Sequence, residues 1–453
     1  MEQQVKDAIA RANADYVEIR VHDGAGTGIH YAGRELEDIG ESTGLGGCVR
    51  ALVNGGWGFA SFNDLDRLST YVDLACEQAR LVGDAGVRLS PATPCSDRVC
   101  MEPELDPRDV PLADKHALCE KYNALILANK KIQTSSVSYR DASGQVIFAN
   151  SDGSFIVQSA TFCGVSVLAI AKDGMNVQRA YESAGDLRGY GNVLGFEEKC
   201  EQVVKRAVDL LSAEPVKAGR YTVVIDPELC GVFVHEAFGH LSEADFLYEN
   251  ERLREIMVIG RRFGPNYLTI VDDGTLKGEA GTMAYDSEGT PTQRTVLIRD
   301  GILVGRLHSR ETAGKLCEAP TGNARALGYA FEPIVRMTNT FLEPRDATWE
   351  EILGGVGDGI YAVGAIGGQT NAEMFTFAAE DAYEIRKGRI GRRLRDVTLT
   401  GNVFETLSSI EVVGNDLKLY GGLGGCGKGN QSPLRTAVGG PHVRIKDVLI
   451  GGR

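Results

Sequence analysis

The segment that constrains this chain most runs from Ile225 to His240, where the hydrophobic period changes from that of a strand to that of a helix. Asp226 suits an N-cap, and Pro227 suits the first helical position, where a missing N–H has no partner to lose. His235, Glu236 and His240 follow in the run Val-Phe-Val-His-Glu-Ala-Phe-Gly-His. Residues five apart on a regular α-helix point roughly 140° away from each other. The two rings can therefore share a ligand only if the helix is distorted. A single π-type turn, with its i to i+5 register, would bring His235 and His240 to one side, and Gly239 is a position where the helix can loosen. The plainer alternative is that His240 caps a helix end.

Two imidazoles and a carboxylate at this spacing are the parts of a hydrolytic metal site. A catalytic zinc takes three protein ligands and keeps one position for water, so the motif is one ligand short. Glu243, Asp245 and Glu249 lie nearby in sequence. Far away, Cys426 sits in Gly424-Gly-Cys-Gly-Lys-Gly-Asn-Gln431, where flanking glycines let the backbone approach an ion and a thiolate is a good zinc donor. Spacing alone leaves these four open.

Composition narrows the function classes. The 453 residues carry a net charge of -14, with no concentrated basic surface for phosphate, so nucleic acid is not an expected partner. The arginines between 252 and 262 and between 386 and 395 are read as solvated faces. No apolar run approaches the roughly 20 residues that cross a bilayer. The acidic opening Met1-Glu2-Gln3 lacks the features of a signal peptide, so no membrane association and a cytoplasmic location are expected. The 10 cysteines include no Cys-x-x-Cys pair and read mostly as buried thiols of a reducing compartment.

The expected fold class is α+β: an N-terminal α/β domain over residues 1–215, then a β-rich, barrel-like C-terminal domain over 220–453 that carries the metal-site helix. Helices are expected to about Ala14, from Asp64 to about Leu81, from Leu112 to Asn129 and from Phe196 to Leu211. Five prolines between Val87 and Pro111 mark an irregular connection, and turns are expected at Asp141-Ala-Ser-Gly144 and Ser151-Asp-Gly-Ser154. The polar stretch Ser212 to Gly219 sets the boundary. Beyond Asn266 the chain reads as short strands with glycine turns, and 56 glycines suit many close strand approaches.

The residues resemble the TldD/PmbA family of metallopeptidases, specifically its TldD branch. The resemblance covers most of the chain. It is carried by His235-Glu-Ala-Phe-Gly-His-Leu-Ser-Glu-Ala-Asp245, Val271-Asp-Asp-Gly-Thr275, Asp286-Ser-Glu-Gly-Thr-Pro291, Pro320-Thr-Gly-Asn323, Arg336-Met-Thr-Asn-Thr340 and Gly424-Gly-Cys-Gly-Lys428. It implies one zinc per chain, held by His235, His240 and Cys426. It also implies extended, unfolded peptide substrates accepted with broad tolerance, and a paired PmbA-type subunit or, where none exists, a homodimer. The PmbA branch lacks the His-Glu-x-x-x-His motif; this chain keeps it. The chain departs from the family pattern after Lys428, at Gly429-Asn430 and over Ser432 to Gly439.

Within that reading Glu236 is the general base that takes the proton of a zinc-activated water. Glu243 and Asp245 are candidate partners behind a ligand imidazole. Asn323, Arg325, Asn339 and Gln369 are read as turn formers rather than cleft residues. The alternative function is a noncatalytic scaffold or partner subunit with a structural zinc; a cysteine hydrolase using Cys426 is a weaker third.

Overall fold

Val17, Ile19, Val21, Ile29 and Tyr31 alternate along one strand, Tyr16–Ala32, and all five are buried. Val137, Tyr139, Ile147 and Ala149 of Ile132–Asn150 and Cys163, Val165, Val167, Ala169 and Ala171 of Phe155–Asp173 are buried in the same alternation, so one face of the sheet is continuously apolar. In this computed structural model, which describes residues 1–83, 86–371 and 373–451, helices cover that face in two groups. Glu2–Ala10 and Leu68–Val82 pack at one end, Leu112–Leu127 and Glu197–Leu210 at the other. The strand order is Gly56–Phe62, Glu35–Val53, Tyr16–Ala32, Ile132–Asn150, Phe155–Asp173, Ser96–Met101, with Asn176–Asp186 also pairing with Phe155–Asp173. The pairings are antiparallel except that of Ser96–Met101.

Two local expectations change. Residues 141–144 form no turn but lie within the continuous strand Ile132–Asn150. Asp141 is buried there, accepting from the Tyr139 hydroxyl at 2.7 Å, the Thr27 N–H at 3.1 Å and the Lys115 ammonium at 2.7 Å. Gly144 serves close strand contact, since a Cβ there would lie 2.7 Å from the Asp23 carbonyl oxygen. The proline-rich connection likewise holds a strand, Ser96–Met101, stabilised by its parallel neighbour rather than by its own pattern. The turn at 151–154 is present, with Gly153 at φ 100°.

After Glu197–Leu210 the chain enters a second β system, where Glu214–Pro215 already pairs with Arg389–Arg395. Gly219–Ile225, Val443–Gly451, Thr398–Asn402, Met374–Arg386 and Asp358–Asn371 pair in succession. The ring closes because the last of these pairs with both Met374–Arg386 and Gly219–Ile225. This small barrel is the barrel-like element of the expected α+β class. Its core includes Ile225, Phe375, Phe377, Leu399 and Ile445. Beside it, Asn339–Leu342 and Ala437–Gly440 run parallel in a six-stranded sheet. No helix among the described residues is long and apolar enough to cross a membrane.

The motifs beyond the histidines act as fasteners. Asp272 is buried and accepts from Asn323 Nδ2 (2.9 Å), the Thr338 N–H (2.8 Å), Thr338 Oγ1 (2.8 Å) and Thr340 Oγ1 (2.9 Å), tying Asn323 and the 338–340 stretch to one carboxylate. Asp286 organises its own turn and takes the Ala324 N–H at 3.0 Å. Glu288 reaches the N-terminal sheet, 2.8 Å from the Arg50 guanidinium, which also lies 3.2 Å from Glu18.

Candidate metal centre

The helix Pro227–Val234 leaves the barrel strand Gly219–Ile225 directly, capped by Asp226, whose side chain accepts from the Leu229 N–H at 2.9 Å. Phe233 fixes its seat, with ring centroids 5.5 Å from Phe375 and 6.0 Å from Phe377. Burying such a ring contributes about 1.5–3 kcal/mol. The helix then widens into one π-turn over His235–Gly239, and the His240 N–H bonds back to the His235 carbonyl in the i to i+5 register. The two imidazoles consequently face each other, with centroids 5.2 Å apart and planes at 85°. Gly239 does not loosen the helix: its φ of -57° and ψ of -54° are helical. It is glycine because a Cβ would sit 2.0 Å from Met337 Sδ.

Cys426 opens the strand Cys426–Lys428, paired with Gln431–Leu434. The His235, His240 and Cys426 donor atoms all lie within 4.8 Å of one another, and Cys426 Sγ is 3.3 Å from His240 Nε2. Burial alone would raise the Cys426 thiol, but hydrogen bonds from His235 and His240 outweigh it and pull the pKa down to about 5. Burial opposes charge on His240, yet Glu243 and Cys426 raise its pKa to about 11. The protein alone thus favours thiolate at Cys426, the form a metal requires. Nδ1 of His235 is buried without a hydrogen-bond partner. A soft, convergent set of two imidazoles and a thiolate fits zinc.

Glu236 lies beside the cluster, its Oε2 3.9 Å from His240 Nε2, with its side chain 24% exposed. Burial raises its pKa above the ordinary 4.5, against the pull of the two histidines. Glu243, fully buried, meets His240 Nδ1 at 3.0 Å through Oε2. Its burial penalty is overcome by His240 and Lys428, which hold its pKa at about 2. Asp245 does not reach a ligand ring. It grips the Lys428 ammonium at 2.7 and 2.8 Å, and the same ammonium lies 3.0 Å from Glu243 and donates to the Val335 carbonyl at 2.9 Å. The Glu249 side chain lies outside the described residues.

Two supporting residues carried no role in the sequence reading. Lys428 joins the Cys426 strand to the carboxylates that follow His240. Arg336, fully buried, donates to the carbonyls of Cys426 (2.6 Å) and Gln431 (3.1 Å) and so pins both strands of the hairpin. The only available signal was their position inside motifs, because their partners lie 90 or more residues away. Asn323, Arg325 and Asn339 are not turn formers either. They are buried, and Arg325 donates to the carbonyls of Met337 and Arg435. Gln369 is exposed on Asp358–Asn371, opposite Thr376.

Three convergent donors with a carboxylate alongside and no fourth protein ligand among the described residues suit a metal-dependent hydrolase better than a closed structural site. The chain matches the PmbA/TldA metallopeptidase models over residues 17–79 (domain 1), 105–211 (central domain) and 218–452 (C-terminal domain). It belongs to the PmbA/TldD family of metallopeptidases. It is 46% identical over 445 residues to Metalloprotease slr0863 of Synechocystis, covering 98% of this chain and 96% of that protein. It is 28% identical to the Zinc metalloprotease TldD homolog of Saccharolobus solfataricus, over 89% of each chain. The crystal structure of TldE from Thermococcus kodakarensis shares its fold with a TM-score of 0.79 at 17% identity, over the whole of both chains.

Proposed function

We propose that this chain is a zinc-dependent peptidase of the TldD type, with His235, His240 and Cys426 holding one zinc and Glu236 as the catalytic base. The observation that carries the reading is the π-turn, which turns two histidines five apart toward one thiol. Bound there, zinc would acidify a water and polarise a scissile carbonyl. Glu236, poised above the ordinary carboxylate pKa, takes a proton from water and returns it to the leaving amine. Glu243 orients His240 through Nδ1, and Lys428 keeps Glu243 charged. Substrates on this reading are unfolded peptides bound in extended form, with little demand on side chains, and the working unit pairs with a PmbA-type subunit or a second copy. Residues 1–215 and 220–453 act as its two domains, in the cytoplasm.

The test is metal content per chain by mass spectrometry, with Cys426→Ser alongside. About one zinc in the native protein and clearly less in the variant is the expected outcome; native protein free of metal overturns the reading. Glu243→Gln is expected to weaken zinc binding by roughly 10- to 100-fold, measured by competition with a chelating dye, because it removes the charged partner of a ligand imidazole. An unchanged affinity would remove Glu243 from the site.

One observation favours a second reading. Cys426, His240 and Glu243 also line up as a thiol, base and orienting carboxylate, with contacts of 3.3 and 3.0 Å. Hydrolysis that persists in a chelator and stops on thiol alkylation would select it. The second histidine on the same thiol, redundant in such a triad, argues for the metal.

A further inference from the structure

The face of the N-terminal sheet opposite the helices meets the C-terminal part along two lines. On one, Arg20 donates to the Phe331 carbonyl at 2.8 Å and Arg50 pairs with Glu288. On the other, the glycine arm leading to Cys426 comes down on the sheet. There the Leu423 N–H donates to Ser183 Oγ at 3.1 Å, and a Cβ on Gly185 would lie 2.9 Å from the Gly422 carbonyl carbon. Between these lines the sheet keeps a partly accessible floor that includes Gly24, Gly26, Arg140 and Ala142. Arg140 and Ala142 share a face by alternation, and Ala142 pairs with Phe162.

Arg435 closes over this floor from the other side. Its guanidinium stacks 3.9 Å from the centre of the Phe162 ring, and its carbonyl accepts from Arg325 at 2.7 Å. Its chain neighbour Leu434 is the register partner of Cys426. Cross-strand and sequential Cα spacings of about 5 and 3.8 Å, with an extended rise of about 3.3 Å per residue, put Arg435 within roughly three residues of a peptide bond lying at the metal cluster.

Arg140 and Arg435 are both exposed, and among the described residues neither guanidinium has an ion-pair or hydrogen-bond partner. Carboxylates are not scarce: the chain has 62 acidic against 48 basic side chains, and other arginines at the same junction, such as Arg50 and Arg310, are paired. Although Arg435 reaches the surface, packing of its guanidinium against Phe162 strips water from it, and this, with the positive charge of Arg140, lowers its pKa to about 10. Two cations over one sheet face without a counter-ion repel each other until an anion arrives between them. A guanidinium fork matches the planar, bidentate geometry of a carboxylate.

We propose that Arg140 and Arg435 form an anion subsite that anchors a carboxylate of the peptide substrate a few residues from the bond to be cleaved. The substrate then enters in a fixed direction, with its acidic group held between the Arg140 and Arg435 guanidinium groups, the second of which is itself stacked on Phe162. The carboxylate is either an acidic side chain or the free C-terminus. This inference rests on the peptidase reading for the reaction it serves, but the binding itself does not need turnover.

The test uses the full chain carrying Glu236→Gln, loaded with zinc, and one short fluorescent peptide in three forms. One has a Glu and an amidated end, one has Gln and a free end, and one has Gln and an amidated end. Fluorescence anisotropy is expected to show one of the charged forms binding at least about tenfold tighter than the neutral one, as a charge-assisted bond requires. Which form it is identifies the source of the carboxylate. Arg435→Gln or Arg140→Gln is expected to bring the charged-to-neutral affinity ratio to about 1, with Arg435→Lys intermediate. A ratio near 1 before any arginine is changed overturns the subsite, as does a ratio that survives both substitutions. Hydrolysis of the same peptides by native protein is read separately, so an inactive enzyme that still prefers the charged form counts against the peptidase reading alone.

Discussion

Glu236→Gln is expected to lower kcat for peptide hydrolysis by roughly 100- to 10,000-fold while zinc content stays at the native level. The glutamine amide keeps the size and polarity of the carboxylate but cannot accept a proton. The side chain is not among the three convergent donors, and its closest ring contact is 3.9 Å from His240. Loss of the metal should therefore not accompany loss of rate. Mass spectrometry and steady-state kinetics on one preparation separate the two effects. A variant that hydrolyses at the native rate would remove Glu236 from the chemistry, and one without zinc would make it a ligand. A noncatalytic scaffold would show no change in either.

Lys428→Met carries the largest expected cost in stability, about 3–5 kcal/mol, the usual range when one partner of a buried ion pair is removed. The Lys428 side chain is 9% exposed, Glu243 is fully buried and Asp245 is 16% exposed, so the ammonium is the shared cation of two enclosed carboxylates. Methionine fills much the same volume and leaves both carboxylates without it. Urea denaturation should show the midpoint falling with little change in slope. A loss below 1 kcal/mol would mean that water reaches the carboxylates and replaces the lysine. Adding zinc should restore part of the loss, because ligand binding to the native state alone adds stability by mass action.

The elements legible in advance are those whose signals are local. The helices Leu68–Val82, Leu112–Leu127 and Glu197–Leu210 follow from apolar periodicity, and their ends fall within a few residues of expectation. The cap at Asp226 follows from residue identity, and the π-turn is what the five-residue histidine spacing requires if both rings serve one ion. The reading of Asp141-Ala-Ser-Gly144 as a turn fails because those residue types are turn formers only when solvent satisfies them. Here Lys115, 26 residues away, supplies the counter-charge that lets Asp141 sit inside a strand. Ser96–Met101 fails for a similar reason, since a strand's hydrogen bonds belong to its neighbour.

The sequence by itself determined that the 225–240 segment starts as a capped helix, that its two histidines can share an ion only through a distorted turn, and that Glu236 stands next to them. Apolar period, capping chemistry and side-chain spacing act over one or two helical turns. Only the tertiary structure brought Cys426 to within 3.3 Å of His240 across 186 residues, closed Lys428 over Glu243 and Asp245, and set Arg435 on Phe162 over the sheet face that carries Arg140. Those contacts depend on how a barrel, a glycine arm and a distant sheet pack together. Coulomb and hydrogen-bond energies are set by distance in space, which neither spacing nor composition encodes.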